Sequence, residues 1–207
     1  MVSKGGVERE SGGHAAPSTL YGRMARRLEL LEAAIEVIRR EGPTASMDEI
    51  AAQAGITKPI VYRYFGDRAG IYQAVAERYC ADLTSRFQTA VSTSGDLHAN
   101  VVTAIDAYLA FVQGDPQVHQ FLLHPQHATR PGFTFGYHVG EAIADLLRQR
   151  LEAASRDTTP AGPWGHAIAG MVQAASTWWL VDPEVPRVTL VRHLSTLLWD
   201  GLDRTTA

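Results

Sequence analysis

The sequence predicts an all-α protein of about nine helices, and three observations carry that expectation. Apolar residues recur at three- and four-residue intervals through most of the chain. Gly, Pro or short polar clusters interrupt that recurrence at Gly42-Pro43, Gly55, Gly66, Gly114-Asp115-Pro116 and Asp182-Pro183. No alternating run is long enough to make a half-buried strand. The helices divide into three in a compact N-terminal head and six in a larger body.

Residues 24–41 place Leu28, Leu31, Ala34, Ile35 and Ile38 on one face, and Gly42-Pro43 ends that helix. Ser46 followed three positions on by Glu49 forms a capping box, and the short helix it starts stops near Gly55. The next stretch, ITKPIVYRYF, is a two-turn helix: Thr57 caps it, and Pro59 sits in the first turn, where no hydrogen-bonded N–H is lost. From Asp67, Ile71, Val75, Tyr79, Leu83 and Phe87 recur every four residues along about five turns, with Gly70 a mild cost to helix propensity. Helices over 98–113, through VHQFLL, and over 135–155, 164–181 and 187–202 complete the chain. HPQHATRPG is the main loop of the second half.

Residues 1–22 carry no apolar core of a signal peptide and are expected to be a flexible arm, mostly disordered. Residues 23–66 then form the head and 67–207 the body. Cys80 is the single cysteine, which rules out an internal disulfide. The uncharged stretch between Asp157 and Asp182 contains Pro160, Pro163, Gln173 and Ser176, and suits a buried or subunit-interface helix better than a membrane span. A cytoplasmic protein is expected.

Net charge is -3, so any contact with nucleic acid must be local. Residues 1–66 hold nine Lys/Arg against eight Asp/Glu, and residues 67–207 hold ten against fourteen. The acid lies away from SMDEIAAQAGITKPIVYRYF, which has the pattern of a helix-turn-helix. Its second helix would enter a major groove N-terminus first. Lys58, Tyr62 and Tyr64 are the expected phosphate anchors, with packing the alternative for both tyrosines. Thr57, Pro59, Ile60 and Arg63 form the groove-facing set, in which Arg63 suits a guanine edge. Ser46 joins the DNA-facing residues at the start of the motif. Arg26 and Arg27, beside Arg23, are either phosphate or minor-groove contacts or a solvated helix face.

The pieces LLEAAIEVIRREG and SMDEIAAQAGITKPIVYRYFGDRAGIYQAV resemble the N-terminal domain of TetR-type transcriptional regulators. The resemblance implies a TetR-like fold, with a three-helix DNA-binding head, a long fourth helix leading into the body, and a homodimer built mainly on the last two long helices. It also implies repression relieved by a small molecule bound in the body. Thr57 stands at the family's recognition-helix cap, Lys58 and Tyr62 at its usual phosphate contacts, and Gly66 at the helix end. Pro59 occupies a position where many members have Gly, so the operator preferences of other members do not transfer.

Tyr108, Phe111, Phe121, Phe135, Met171 and Trp178 are the expected apolar lining of a ligand pocket, with His119, His138 and Gln173 as polar groups; plain core is the alternative. Between residues 87 and 147 the only basic residue is Arg130, so an apolar or aromatic effector is expected. His119, His124 and His127 lack metal-ligand spacing, and no metal or cofactor is expected. Ala167, Gly170 and Ala174 allow close approach in a dimer seam. Leu190, Leu194, Leu197 and Leu198 would supply its buried area, unless both helices lie in one protomer's own core. The expected function is a repressor released from a palindromic DNA operator by that effector. An activator of the same fold, or a helical protein-interaction module, is the alternative. No GxSxG, phosphate loop or carboxylate–His spacing suggests an enzyme.

Overall fold

The computed structural model describes residues 17–93, 96–124, 134–181 and 183–206. They form α1 (Pro17–Glu41), a 3₁₀ turn (Gly42–Thr44), α2 (Met47–Gln53), α3 (Lys58–Phe65), α4 (Arg68–Thr93), α5 (Leu97–Gly114), α6 (Pro116–Leu123), α7 (Phe135–Ala153), α8 (Ala161–Val181) and α9 (Arg187–Thr206). Among the described residues there is no strand.

The helices fall near where the apolar spacing puts them, but α8 starts at Ala161 rather than 164, α9 runs to Thr206 rather than 202, and the front differs in two ways. α1 begins at Pro17 rather than near residue 24, so residues 17–22 of the expected flexible arm are helical. Proline suits a first turn because its missing N–H would have no partner there. Leu28, expected inward, is 53 % exposed, as are Tyr21 and Met24 in larger part; the buried face runs through Leu30, Leu31, Ala34, Ile35, Val37 and Ile38. Residues 1–16, with most of the expected arm, lie outside the described residues.

One hydrophobic core runs without a break from Leu30 in α1 to Leu194 in α9. α9 lies along α5, and α6 lies against α1 and the 3₁₀ turn. α7 and α8 approach most closely, because Gly140, Ala144 and Gly165 leave their backbones uncovered. A Cβ on Gly165 would stand 2.6 Å from both the Ala144 amide nitrogen and the Gly140 carbonyl oxygen. Gly70, at the front of α4, likewise faces the Phe65 carbonyl at the end of α3, which any side chain would overlap. Its cost in helix propensity is therefore offset by a close crossing that seats α3 on α4.

Polar contacts also join α1 to α4 and α6. The Arg39 guanidinium donates to both oxygens of Asp115, at 2.6 and 3.1 Å, and Tyr79 Oη donates to the same carboxylate at 3.1 Å. The Arg39 bonds hold the Asp115 carboxyl below its usual range, while burial pushes the Tyr79 phenol up to about 12. On α4, Tyr72 Oη donates to the Leu122 carbonyl at 3.0 Å and accepts from the Phe135 amide at 3.0 Å. One side chain thus joins the end of α6 to the start of α7.

Candidate DNA interface and interhelical cavity

The helix pair α2–α3 is built from local signals. The Ser46 hydroxyl accepts from the Glu49 amide at 3.3 Å, and the Glu49 carboxylate accepts the Ser46 amide at 2.8 Å. Both partners of the capping box are therefore in place. Gly55, at φ +63°, makes the turn that lets the Ile56 amide reach back to the Ala51 carbonyl. Thr57 occupies the N-cap of α3 with extended backbone, but its hydroxyl makes no capping bond, contrary to expectation. Only its carbonyl serves the helix, accepting the Ile60 amide at 2.9 Å.

On α3 the inward side chains are Val61 and Phe65, both buried. Thr57, Pro59, Tyr62 and Arg63 are exposed, and Lys58 and Ile60 are half-buried at the edge of the same surface. Tyr62 is 42 % exposed, whereas Tyr64 is partly buried against the core, with the Arg63 guanidinium 5.5 Å from its ring centre. Lys58 Nζ donates to Asp48 at 2.8 Å, which raises its pKa. On α1, Arg26 pairs with Glu29 at 2.6 Å, and Arg27 lies 5.3 Å from the Phe65 ring centre. Ser46 is occupied as a cap, turned to Glu49.

The expected pocket residues separate. Tyr108, Phe111, His119 and Phe135 do meet, with ring centres 5.8 to 6.5 Å apart, and Phe121 packs against Tyr72 at 6.0 Å. Phe121, Phe135 and His119 are fully buried and belong to the packed core. Trp178 is 54 % exposed on α8, because its neighbour Trp179 turns inward and donates to the Val185 carbonyl at 2.7 Å. Gln173 sits against Gly136, His138 beside Tyr137, and Met171 on the core edge.

An open cavity of about 200 Å³ lies elsewhere, between α4, α5, α7, α8 and α9. Phe87 closes one side; Asn100, Val101, Ala104 and Ile105 come from α5. Ile143, Leu146, Leu147, Gln149 and Arg150 come from α7, and Ile168 and Leu198 complete the wall. A smaller hollow of about 40 Å³ shares Phe87, Ala104, Ile105, Ile143 and Ile168 with it and reaches Tyr108. Tyr108 is thus the one expected pocket residue that borders either space.

The expected seam divides as well. Ala167, Gly170 and Ala174 are exposed on α8, in line with Trp178 and Val181, and Leu197 is exposed on α9. Leu190 and Leu194 are buried in the protomer's own core, where α9 lies on α5, and Leu198 lines the cavity.

Comparison with known proteins decides the family. The model described as "Tetracyclin repressor-like, C-terminal domain" matches residues 86–207, more than half of the chain. A second, "Bacterial regulatory proteins, tetR family", matches residues 30–75. The chain belongs to the TetR family of DNA-binding transcriptional regulators. An uncharacterized HTH-type transcriptional regulator of Mycobacterium tuberculosis is 32 % identical over 183 residues, 87 % of this chain and 78 % of that protein. The HTH-type transcriptional activator FasR of Mycolicibacterium smegmatis is 29 % identical over 205 residues, 95 % of this chain and 91 % of that one. Among solved structures, the regulator FadR of Bacillus subtilis in complex with stearoyl-CoA superposes with a TM-score of 0.65. It is 17 % identical over 83 % of this chain and 96 % of that one, which speaks to the TetR fold.

Two kinds of residue escape a sequence reading of this TetR-family chain. Asp48, the partner of Lys58, is one; its ten-residue separation from the lysine carries no signal of its own. The cavity wall is the other. Val101, Ile105, Ile143 and Leu146 are legible as inward positions, but nothing in their spacing distinguishes a filled interior from a hollow one.

His119 supplies a pH test of the packed aromatic group. Its Nε2 lies 3.2 Å from Tyr108 Oη, and burial pushes the imidazole down to about 4. The folded state therefore holds His119 neutral where the unfolded chain, near 6.5, takes up a proton. Stability from this group is complete above about pH 6.5 and is lost as the pH falls towards 4. Urea unfolding of His119→Gln should show a flatter dependence over that window than the parent chain, whatever its absolute stability.

Proposed function

We propose that this TetR-family chain is a homodimeric repressor, acting in the cytoplasm, that leaves a palindromic operator when a small molecule with an apolar or aromatic body enters the cavity between α4, α5, α7, α8 and α9. The observation that carries the reading is the outward face of α3. Thr57, Pro59, Tyr62 and Arg63 are exposed and Lys58 lies at the edge of the same surface, while Val61 and Phe65 anchor the helix beneath them. A dimer would present two such helices to successive major grooves, about 34–36 Å apart. The exposed small-residue stripe of α8 and Leu197 of α9 is the surface on which the two copies would meet.

α4 supports the switch. Phe87 borders the cavity, Tyr79 joins the Arg39–Asp115 pair, and Gly70 abuts the end of α3. At 1.5 Å per residue the span from Phe87 to Gly70 is about 25 Å. A ligand that displaces Phe87 would thus tilt the rod on which the reading helix rests. A shift of a few ångströms breaks direct hydrogen bonds to DNA, which fail beyond about 3.2 Å.

The test is a gel-shift titration with the DNA upstream of the protein's own gene, in excess random DNA. Retention of the upstream fragment supports the reading; equal affinity for random fragments overturns it. Ala104→Trp should fill the cavity, leave DNA binding intact and abolish release by any effector found. FasR, an activator by its description, favours a second reading in which the bound protein recruits polymerase. Deleting the gene separates the two: target transcripts rise for a repressor and fall for an activator.

A further inference from the structure

We infer that the effector is a small monoanion, a carboxylate carried on a single ring or short chain, with Arg150 its charge partner. This rests on the cavity being the effector site and adds the ligand's chemistry to it. Every cavity-facing helix contributes apolar side chains, and Arg150 is the one ionisable residue in the lining. No Asp or Glu lines the space, and among the described residues no acidic side chain lies within ion-pair distance of the Arg150 guanidinium. Three other arginines of the body differ: Arg148 pairs with Asp145, Arg86 with Asp82, and Arg187 with Asp106. Arg150 is half-buried at an apolar hollow and has no counter-charge among the described residues, which makes it a place for an anion from outside the chain.

The placement is chemically coherent. An arginine stem packs along apolar surface while its head stays towards water, and this cavity is open on one side. The guanidinium therefore belongs at the mouth, and the other polar residues of the lining are Gln149 on α7 and the buried Asn100 on α5. Its planar fork matches a carboxylate with two parallel hydrogen bonds, roughly twice as strong as neutral ones. The volume limits the rest of the molecule. A cavity of roughly 150 Å³ accommodates benzene, so about 200 Å³ suits one ring with a small substituent or a chain of similar bulk. One positive charge in the wall matches one negative charge on the ligand; a polyanion would bring charge that the lining cannot meet.

The experiment uses the full chain and titrates benzoate, 4-methylbenzoate and octanoate against their neutral counterparts benzyl alcohol, 4-methylbenzyl alcohol and 1-octanol, by calorimetry. At least one carboxylate should bind ten-fold or more tightly than its alcohol. In Arg150→Gln that acid should weaken about ten-fold while the alcohol changes by less than two-fold, and Arg150→Lys should recover part of the preference. Alcohols binding as well as acids, or an unchanged acid-to-alcohol ratio in Arg150→Gln, overturns the carboxylate assignment while leaving the cavity reading in place. If no carboxylate of the series binds, the assignment falls too. Binding that survives in Ala104→Trp would locate the ligand outside the cavity and remove both.

Discussion

Replacing Ala174 with Glu should give a chain that folds but runs as a monomer in light scattering at micromolar concentration. Ala174 is exposed midway along α8, in the stripe that also holds Ala167, Gly170 and Trp178. In a two-fold dimer the same patch of each copy faces its equivalent, so one substitution places two carboxylates in the seam. Both would lose water without gaining a partner, a situation costing several kcal/mol. Because the residue is exposed in the protomer, the helical content and unfolding midpoint of the monomer should stay close to those of an equally monomeric control. DNA affinity should then fall by three orders of magnitude or more, to the level of non-specific binding, since one head alone reads half a site. A variant that remains dimeric and keeps its operator would place the seam on another face.

Lys58 offers the second large effect, with a built-in control of opposite sign. In the free protein its ammonium is bonded to Asp48 at 2.8 Å, with the Lys58 side chain 41 % and the Asp48 side chain 70 % exposed. An exposed pair of this kind contributes little to stability, so phosphate can take the lysine from the aspartate. Lys58→Ala should remove one phosphate contact per protomer, two per dimer, and flatten the dependence of log K on log salt by about 2. At 0.15 M salt that counterion term alone amounts to a loss on the order of 30-fold, equal on operator and random DNA. Asp48→Asn should tighten binding several-fold on both, because the lysine is released and a like-charged group leaves the DNA face. Arg63→Ala should instead lose affinity mainly on the operator. If Lys58→Ala lowers operator affinity but not random-DNA affinity, the phosphate role is wrong.

What could be seen in the sequence divides along the range of the interactions involved. Ser46, Glu49, Gly55 and Gly66 act within a few residues of themselves, so the start and end of α2 and the end of α3 were legible. The outward surface of α3 followed, since Val61 and Phe65 occupy the inward side of a two-turn helix. α1 was harder at its front, because Tyr21, Met24 and Leu28 continue an apolar spacing into a region that no described residue covers. The ligand site was harder still. Tyr108, Phe111, His119 and Phe135 pack on one another, and of these four only Tyr108 borders either hollow described above. A hollow depends on how five helices pack, and nothing local marks the small Ala104 as part of its wall. Rotation of α9 is equally non-local: Leu194 faces α5 while Leu197, one turn on, faces outward.

The Arg39–Asp115–Tyr79 contact bears on how interchangeable the parts of such a protein are. Arg39 lies on α1 and Asp115 opens α6, and Gln117, two residues on, packs its amide against Gly42. A chimera that joins this head at residue 66 to another regulator's remainder would strand a guanidinium and uncover the 3₁₀ turn. Swaps that also carry residues 115–117 should express as well-behaved proteins, and those that omit them should not. Modularity here is a property of paired surfaces, and the cut that respects it does not fall at a single point in the chain.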